Sequence, residues 1–237
     1  MMLLFFILGF LLLASPSWAA VVFDNKASVT GTSVTTLTTV AFTITSSANR
    51  AGTVAICTRN ASTSGFTSGI GGTAGAFITG TEGTLSTAHL LLHGVTAPPS
   101  GSQTATASWT TAANAGIGAL TASGVNQTTP LTNGTFTTSS VSPTSLSVTS
   151  TSGDLTMTGL CINNAGVDPT TNQTIEYLDE IVSSLTSAGD IGPGTGTTTH
   201  TWTSITNSKV ISGANFLAAG GAPPAASPMR TLMGVGQ

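Results

Sequence analysis

The sequence predicts an all-β protein, a single antiparallel β-sandwich of jelly-roll-like character, and three observations predict it. Charge is scarce: five Lys and Arg and eight Asp and Glu in 237 residues, against the roughly 25% usual in soluble domains. Ser and Thr hydroxyls must therefore solvate the surface, and Thr is β-branched, which suits a pleated strand better than a helix. The chain is nevertheless 40% hydrophobic, unlike disordered chains, which are charge-rich and poor in Val, Ile and Leu. Its apolar residues fall in about ten short alternating runs separated by Gly, Ser, Asn and Pro, the pattern of a sandwich or barrel and not of βαβ units.

The elements follow in order. Met1 to Leu13 form an apolar run broken only by Gly9, followed by Ala14-Ser15-Pro16-Ser17-Trp18-Ala19. With small residues at Ser17 and Ala19, residues 1–19 are expected to be a secretory signal peptide cut after Ala19. The run is shorter than the ~18 residues that cross a bilayer, and no stop-transfer charges follow it. Residues 20–219 are the expected sandwich domain. Val34, Leu37, Val40, Phe42 and Ile44 lie in its first Thr-rich stretch, and Val54 and Ile56 come after Asn49-Arg50-Ala51-Gly52. Phe77-Ile78, the run Leu85 to Val95, Thr104 to Trp109 and Ile117 to Leu120 come next. Leu146 to Val148, Leu155 to Met157, Trp202 to Ile205 and Val210 to Leu217 complete the set. Pro98-Pro99-Ser100-Gly101, Thr132-Asn133-Gly134 and Ser152-Gly153-Asp154 carry turn chemistry between them. Ile175, Leu178, Ile181, Val182 and Leu185 stand at helical spacing, opposite Glu176, Asp179 and Glu180. Residues 220–237 are a Gly/Pro/Ala-rich linker and tail; the linker cannot form a ladder, and Met229 to Gln237, though apolar enough to dock, is expected to be a frayed terminus.

No catalytic, cofactor or metal residue emerges from the motifs. His89 and His93 are four apart and share a face on a strand, but two imidazoles are half a zinc site and His200 is remote in sequence. Asp168, Glu176, Asp179, Glu180 and Asp190 concentrate five of the eight acids without the Asp/Asn alternation of an EF-hand, so a solvated face is preferred to calcium. There is no Gly-x-Ser-x-Gly elbow. Gly69-Ile70-Gly71-Gly72 has Ala74 in place of a dinucleotide fingerprint's third glycine and no phosphate-loop Lys, so it is expected to be an inter-strand loop. No pair among the acids stands out as a glycosidase couple. Sequons begin at Asn60, Asn126, Asn133 and Asn172. A net charge of −3 with five scattered cations argues against nucleic acid and anionic membranes as partners.

Leu90-Leu91-Leu92-His93-Gly94-Val95-Thr96-Ala97-Pro98-Pro99-Ser100-Gly101, running on to Trp109, and Ala119 to Leu131 with Gly124-Val125-Asn126-Gln127-Thr128-Thr129-Pro130, resemble an uncharacterised β-sandwich family of bacterial secreted and phage-associated proteins. That family has a Pro-x-x-Gly turn, a strand ending in Trp and a Gly-Val-Asp-Gln-Thr-Thr-Pro-like segment. Asn126 departs from the common Asp, and His93 from an apolar residue. The resemblance spans most of residues 22–219 and implies a strand, not a helix, over 174–185. It implies no active site.

The expected function is a non-enzymatic structural or interaction module. It is secreted to the extracellular space or periplasm, at a cell surface or on a virion, with a surface or virion partner, a glycan among the candidates. A carbohydrate-binding sandwich is the alternative, for which Trp109, Trp202 and Tyr177 are the large polar-tipped aromatics. Trp109 and Trp202 bound apolar strands, so packing is their expected role. Cys57 and Cys161, the only cysteines, end strand-like runs and in an oxidising compartment are expected to pair, stapling two neighbouring strands. The alternative is two buried thiols.

Overall fold

A computed structural model describes residues 20–60, 64–164, 168–181, 185–204 and 206–220. The expected signal peptide and the tail beyond Gly220 lie outside the described residues. The described chain is all-β, with antiparallel pairing throughout and no helix. In order the strands are β1 (Val22–Thr38), β2 (Phe42–Ile44), β3 (Ala51–Arg59), β4 (Thr67–Ile70), β5 (Thr73–Ala74) and β6 (Ala76–Phe77). Next come β7 (Gly83–Leu85), β8 (Ala88–Thr96), β9 (Gly101–Gln103), β10 (Ala105–Ser123), β11 (Leu131–Ser139) and β12 (Thr144–Thr149). The last are β13 (Leu155–Ile162), β14 (Thr170–Thr171), β15 (Thr174–Ile181), β16 (Leu185–Pro193), β17 (Thr197–Thr203) and β18 (Lys209–Phe216).

Two large sheets form the sandwich. One runs β5-β4-β10-β3-β8-β6, with β1 on β10 and β7 on β8; the other runs β11-β18-β13-β16-β15. Their facing sides bury Ala55, Cys57, Leu90, Leu92 and Leu120 against Met157, Cys161, Val210, Ala214 and Phe216. The outer sides are covered too, which adds layers beyond the two that a simple sandwich has. Val54, Ile56, Leu91, Val95 and Ile117 pack under Leu37, Phe42, Ile44, Ile70, Ala105, Ala107 and Trp109. The remaining face buries Leu160, Ile162, Ala188 and Ile211 beneath Leu146 and Trp202 of the small β12-β17-β14 sheet. Burial on both faces replaces polar alternation with unbroken runs: all of β18 and eight of the nine residues of β3 are buried.

Several expected boundaries move. The runs ending at Trp109 and beginning at Ile117 are one strand, β10, whose early half pairs β4 and whose later half pairs β3. Odd-numbered residues from both halves, Ala105, Ala107, Trp109, Ala115, Ile117 and Ala119, meet in one cluster, so β10 folds over the face it helps to build. Thr132-Asn133-Gly134 is a bulge inside β11 and not a turn: the register shifts between Thr132 and Thr135, and Asn133 takes a φ of 55°. Residues 174–181 form strand β15, and 182–184 lie outside the described residues. The helical spacing there arises from a bulge between Ile175 and Tyr177, which breaks the two-residue alternation and lets both reach cores on opposite faces. Gly69 lies within β4, and Gly71 and Gly72, both at positive φ, make the turn to β5.

The exposed side of the β12-β17 pair is tiled with hydroxyls: Ser145 Oγ lies 2.8 Å from Thr201 Oγ1 and Ser147 Oγ 3.1 Å from Thr199 Oγ1. Their strand neighbours His200 and Trp202 point inward and are fully buried.

Candidate functional site

An open concavity on the sandwich is a groove of about 520 Å³ lined by residues 76–79 and 128–134 with Gly94 and Thr96. It lies where one edge of each large sheet ends, at β6 and at β11. Ala76 pairs with Gly94 and Phe77 with His93, and directly opposed residues share a face. Phe77 therefore turns to the far side of its sheet, where its ring meets His93 edge-on at 6.2 Å. Ala76 and Ile78 face the groove. A Cβ on Gly94 would lie 2.6 Å from Leu131 Cδ1 and 3.5 Å from Ile78 Cγ1, so both apolar side chains pack directly over the glycine. The glycines at 80 and 134 close one end, since a Cβ on Gly80 would lie 2.6 Å from Gly134 O. Thr96, Thr128, Thr129 and Asn133 supply the polar rim, and no lining residue is charged.

A second constellation is legible only in three dimensions. His200 Nδ1 lies 2.8 Å from Asp190 Oδ1, and His200 Nε2 lies 3.0 Å from Thr156 Oγ1. Thr158 and Thr171 hydroxyls donate to the same carboxylate at 2.5 and 2.7 Å, and Trp202 Nε1 donates to Thr158 Oγ1 at 2.9 Å. The order acid, imidazole, hydroxyl is that of a nucleophilic triad, but two features oppose such chemistry. Asp190, His200 and Thr156 are each 0% exposed. The Thr156 hydroxyl also has Gly192 O as an acceptor at 2.9 Å, which competes with Nε2 for its single proton. The cluster joins the β12-β17-β14 sheet to the sheet beneath it through satisfied polar contacts. A signal was present: His200 and Trp202 alternate with outward threonines in Thr197-Thr198-Thr199-His200-Thr201-Trp202-Thr203, which places the imidazole on the buried face.

His89 and His93 do share a face of β8, but each has a separate partner. His89 Nε2 donates to Glu82 Oε1 at 2.9 Å, while His93 Nδ1 lies 2.9 Å from Ser68 Oγ. Burial holds the His93 ring below the ordinary histidine range, opposed by the negative charge of Glu82. The acids of 168–190 disperse: Glu176 pairs with Lys26 at 3.0 Å, Asp190 is sealed with His200, Asp179 and Glu180 lie on edge strand β15, and Asp168 is exposed. Among the sequon residues, Asn126 Oδ1 accepts from the Thr128 and Thr129 amides, Asn133 Nδ2 donates to Thr149 O, and Asn172 Nδ2 donates to Thr199 O.

Trp109 and Trp202 are 4% and 0% exposed, and the Trp109 indole N–H donates to Val34 O at 2.9 Å. Neither ring faces solvent. Cys57 and Cys161 are joined, with Cα atoms 5.5 Å apart. The bridge does not staple neighbouring strands: β3 and β13 belong to different sheets, so it crosses the core between them. No family model, curated protein sequence or solved structure matches the chain.

Proposed function

We propose that the chain is a secreted, non-enzymatic structural or interaction module, displayed at a cell surface or carried on a phage particle, that meets its partner through the groove. One observation carries this reading. This groove is open to solvent and has no titratable side chain in its lining, whereas the acid–imidazole–hydroxyl set is sealed. A ligand in the groove would find shape, apolar contact and hydroxyls, the means of binding rather than of proton transfer. The resemblance of residues 90–109 and 119–131 to exported and phage-associated sandwiches supports the setting. A disulfide, and the absence among the described residues of a helix long and apolar enough to cross a membrane, are compatible with an extracellular or periplasmic location. The carbohydrate-binding alternative gains nothing from Trp109 or Trp202, whose rings are buried.

The full chain, exported with its disulfide intact, is the material for the test. Chromogenic esters and glycosides and a fluorogenic peptide library, assayed between pH 5 and 8, should turn over no faster than in buffer. Turnover that disappears in Asp190→Asn would overturn the reading and make the buried cluster an active site that opens.

A further inference from the structure

The groove is the open flank of the sandwich. On one side the strand order ends at β6, on the other at β11, and Ile78 and Leu131 in its lining belong to the rim of the inter-sheet core. Apolar floor, hydroxyl rim and no charge suit an extended, nearly uncharged segment most of whose apolar side chains fall on one face. Such a segment gains from strand addition along a sheet edge and from alternate side chains in the floor.

The chain carries one. In Met229-Arg230-Thr231-Leu232-Met233-Gly234-Val235, an extended backbone puts Met229, Met233 and Val235 on one side with Thr231, and Leu232 on the other with Arg230 and Gly234. No acid occurs in the stretch and only Arg230 is charged, so nothing in it conflicts with the groove lining. The described chain departs close by. The Leu217 amide donates to Pro130 O at 3.0 Å and the Ala219 amide to Gly124 O at 2.7 Å. The last described residues thus lie against residues 124–130, which continue directly into the groove wall.

Reach decides the source. From Gly124 to Leu131 the path is at most ~25 Å, seven fully extended residues. Residues 220–228, three of them proline, span ~28 Å in the polyproline conformation. One chain can therefore bridge the distance, and a tethered segment outcompetes a free one through its high effective concentration. We propose that residues 229–235 occupy the groove of their own chain, as an added strand between 76–79 and 128–134. The proposal rests on reading the groove as an interaction surface, and names its resident occupant.

The test uses the full, disulfide-bonded chain labelled with ¹³C at the methionine methyls, assigned with Met229→Leu and Met233→Leu. The expected result is Met229 and Met233 methyls displaced from the free-methionine position, with nuclear Overhauser effects to Leu131 and Ile78. Ala76→Arg or Thr129→Arg, on opposite walls, should return both methyls to the free position. The core Met157 methyl must stay unmoved in these variants, which certifies the fold. Free methyls in the unmodified chain overturn the proposal and leave the groove to an outside partner. Overhauser effects insensitive to both arginines overturn it as well. If they vanish on dilution while the mass falls from dimer to monomer, the segment belongs to a second copy, contrary to the proposal. None of these outcomes bears on turnover, so this inference and the non-enzymatic reading fail separately.

Discussion

Gly118 and Gly189 face each other across the core as two missing side chains, and Tyr177 fills the space. A Cβ at either position would stand inside the van der Waals radius of the tyrosine ring. Burial, with the charges of Asp179 and Asp190, pushes the phenol above its ordinary range, so it stays protonated at any working pH. Gly118→Ala should therefore act as an overpacking change, costing about 1–3 kcal/mol in denaturant unfolding. The pair Gly118→Ala with Tyr177→Phe should recover little, because the clash is with ring carbons; substantial recovery would mean that the hydroxyl, not the ring, sets the fit. None of this was legible in the sequence. Glycine in a strand is a weakness by propensity, and only the bulge after Ile175 brings Tyr177 over both glycines. The burial of Trp109 and Trp202 was legible, because each stands in an alternating strand-like run, although Trp109 lies inside β10 and Trp202 inside β17 rather than at a strand boundary.

Between elements, Asp154 is the clasp. It precedes β13, and its carboxylate accepts the Thr151 amide at 2.7 Å, the Thr151 hydroxyl at 2.9 Å, Asn215 Nδ2 at 2.9 Å and the Ala218 amide at 2.8 Å. These bonds tie the turn before β13 to the end of β18. Burial alone would raise the carboxyl's pKa, but the Ala218 and Thr151 amides and the Asn215 and Thr151 side chains outweigh it and hold it below the ordinary range. A carboxyl depressed on folding stabilises the protein fully above its unfolded pKa, about 3.9, and loses that contribution as pH falls through the lower folded value. Thermal unfolding should show this loss below about pH 4, and Asp154→Ala should destabilise the chain by about 2–4 kcal/mol at neutral pH, leaving the Ala218 amide buried without its acceptor. An unchanged acid limb in Asp154→Ala would remove the residue from that role. Ser152-Gly153-Asp154 was legible as a turn, since Gly153 takes a φ of 96°; its grip on β18 was not, because Asn215 and Ala218 lie more than sixty positions away. The same distance hid the groove, whose walls are joined by neither motif nor spacing. Asn133-Gly134 misled for a different reason, since a bulge and a hairpin turn call on the same positive-φ chemistry.

For the whole molecule, the fold class was legible because composition and alternation agree, while the layering was not. β3, β8, β13, β16 and β18 are buried on both faces, and periodicity cannot say what covers each face. The disulfide spans 104 positions, and a loop of about 100 residues is worth about 4–5 kcal/mol in the chain-entropy model. Because it links the two large sheets and not adjacent strands, reduction should loosen their docking rather than fray an edge. Cys57→Ser with Cys161→Ser should lower stability by several kcal/mol and deprotect amides in β3 and β13 together. Deprotection confined to one sheet would show that the bridge acts locally.

The hydroxyl-tiled face over β12 and β17 bears on how the molecule meets its surroundings. Interactions between surface charges are screened within about 10 Å at 0.1 M salt and about 3 Å at 1 M, and they change as carboxyls and amines titrate. The outward Ser and Thr side chains neither titrate in that range nor attract a counterion cloud, so the hydration they hold is indifferent to brine and to acid. A protein faced with such sheets would keep that solvent layer across a wide span of salt and pH, where a surface of Lys and Glu would aggregate near its isoelectric point.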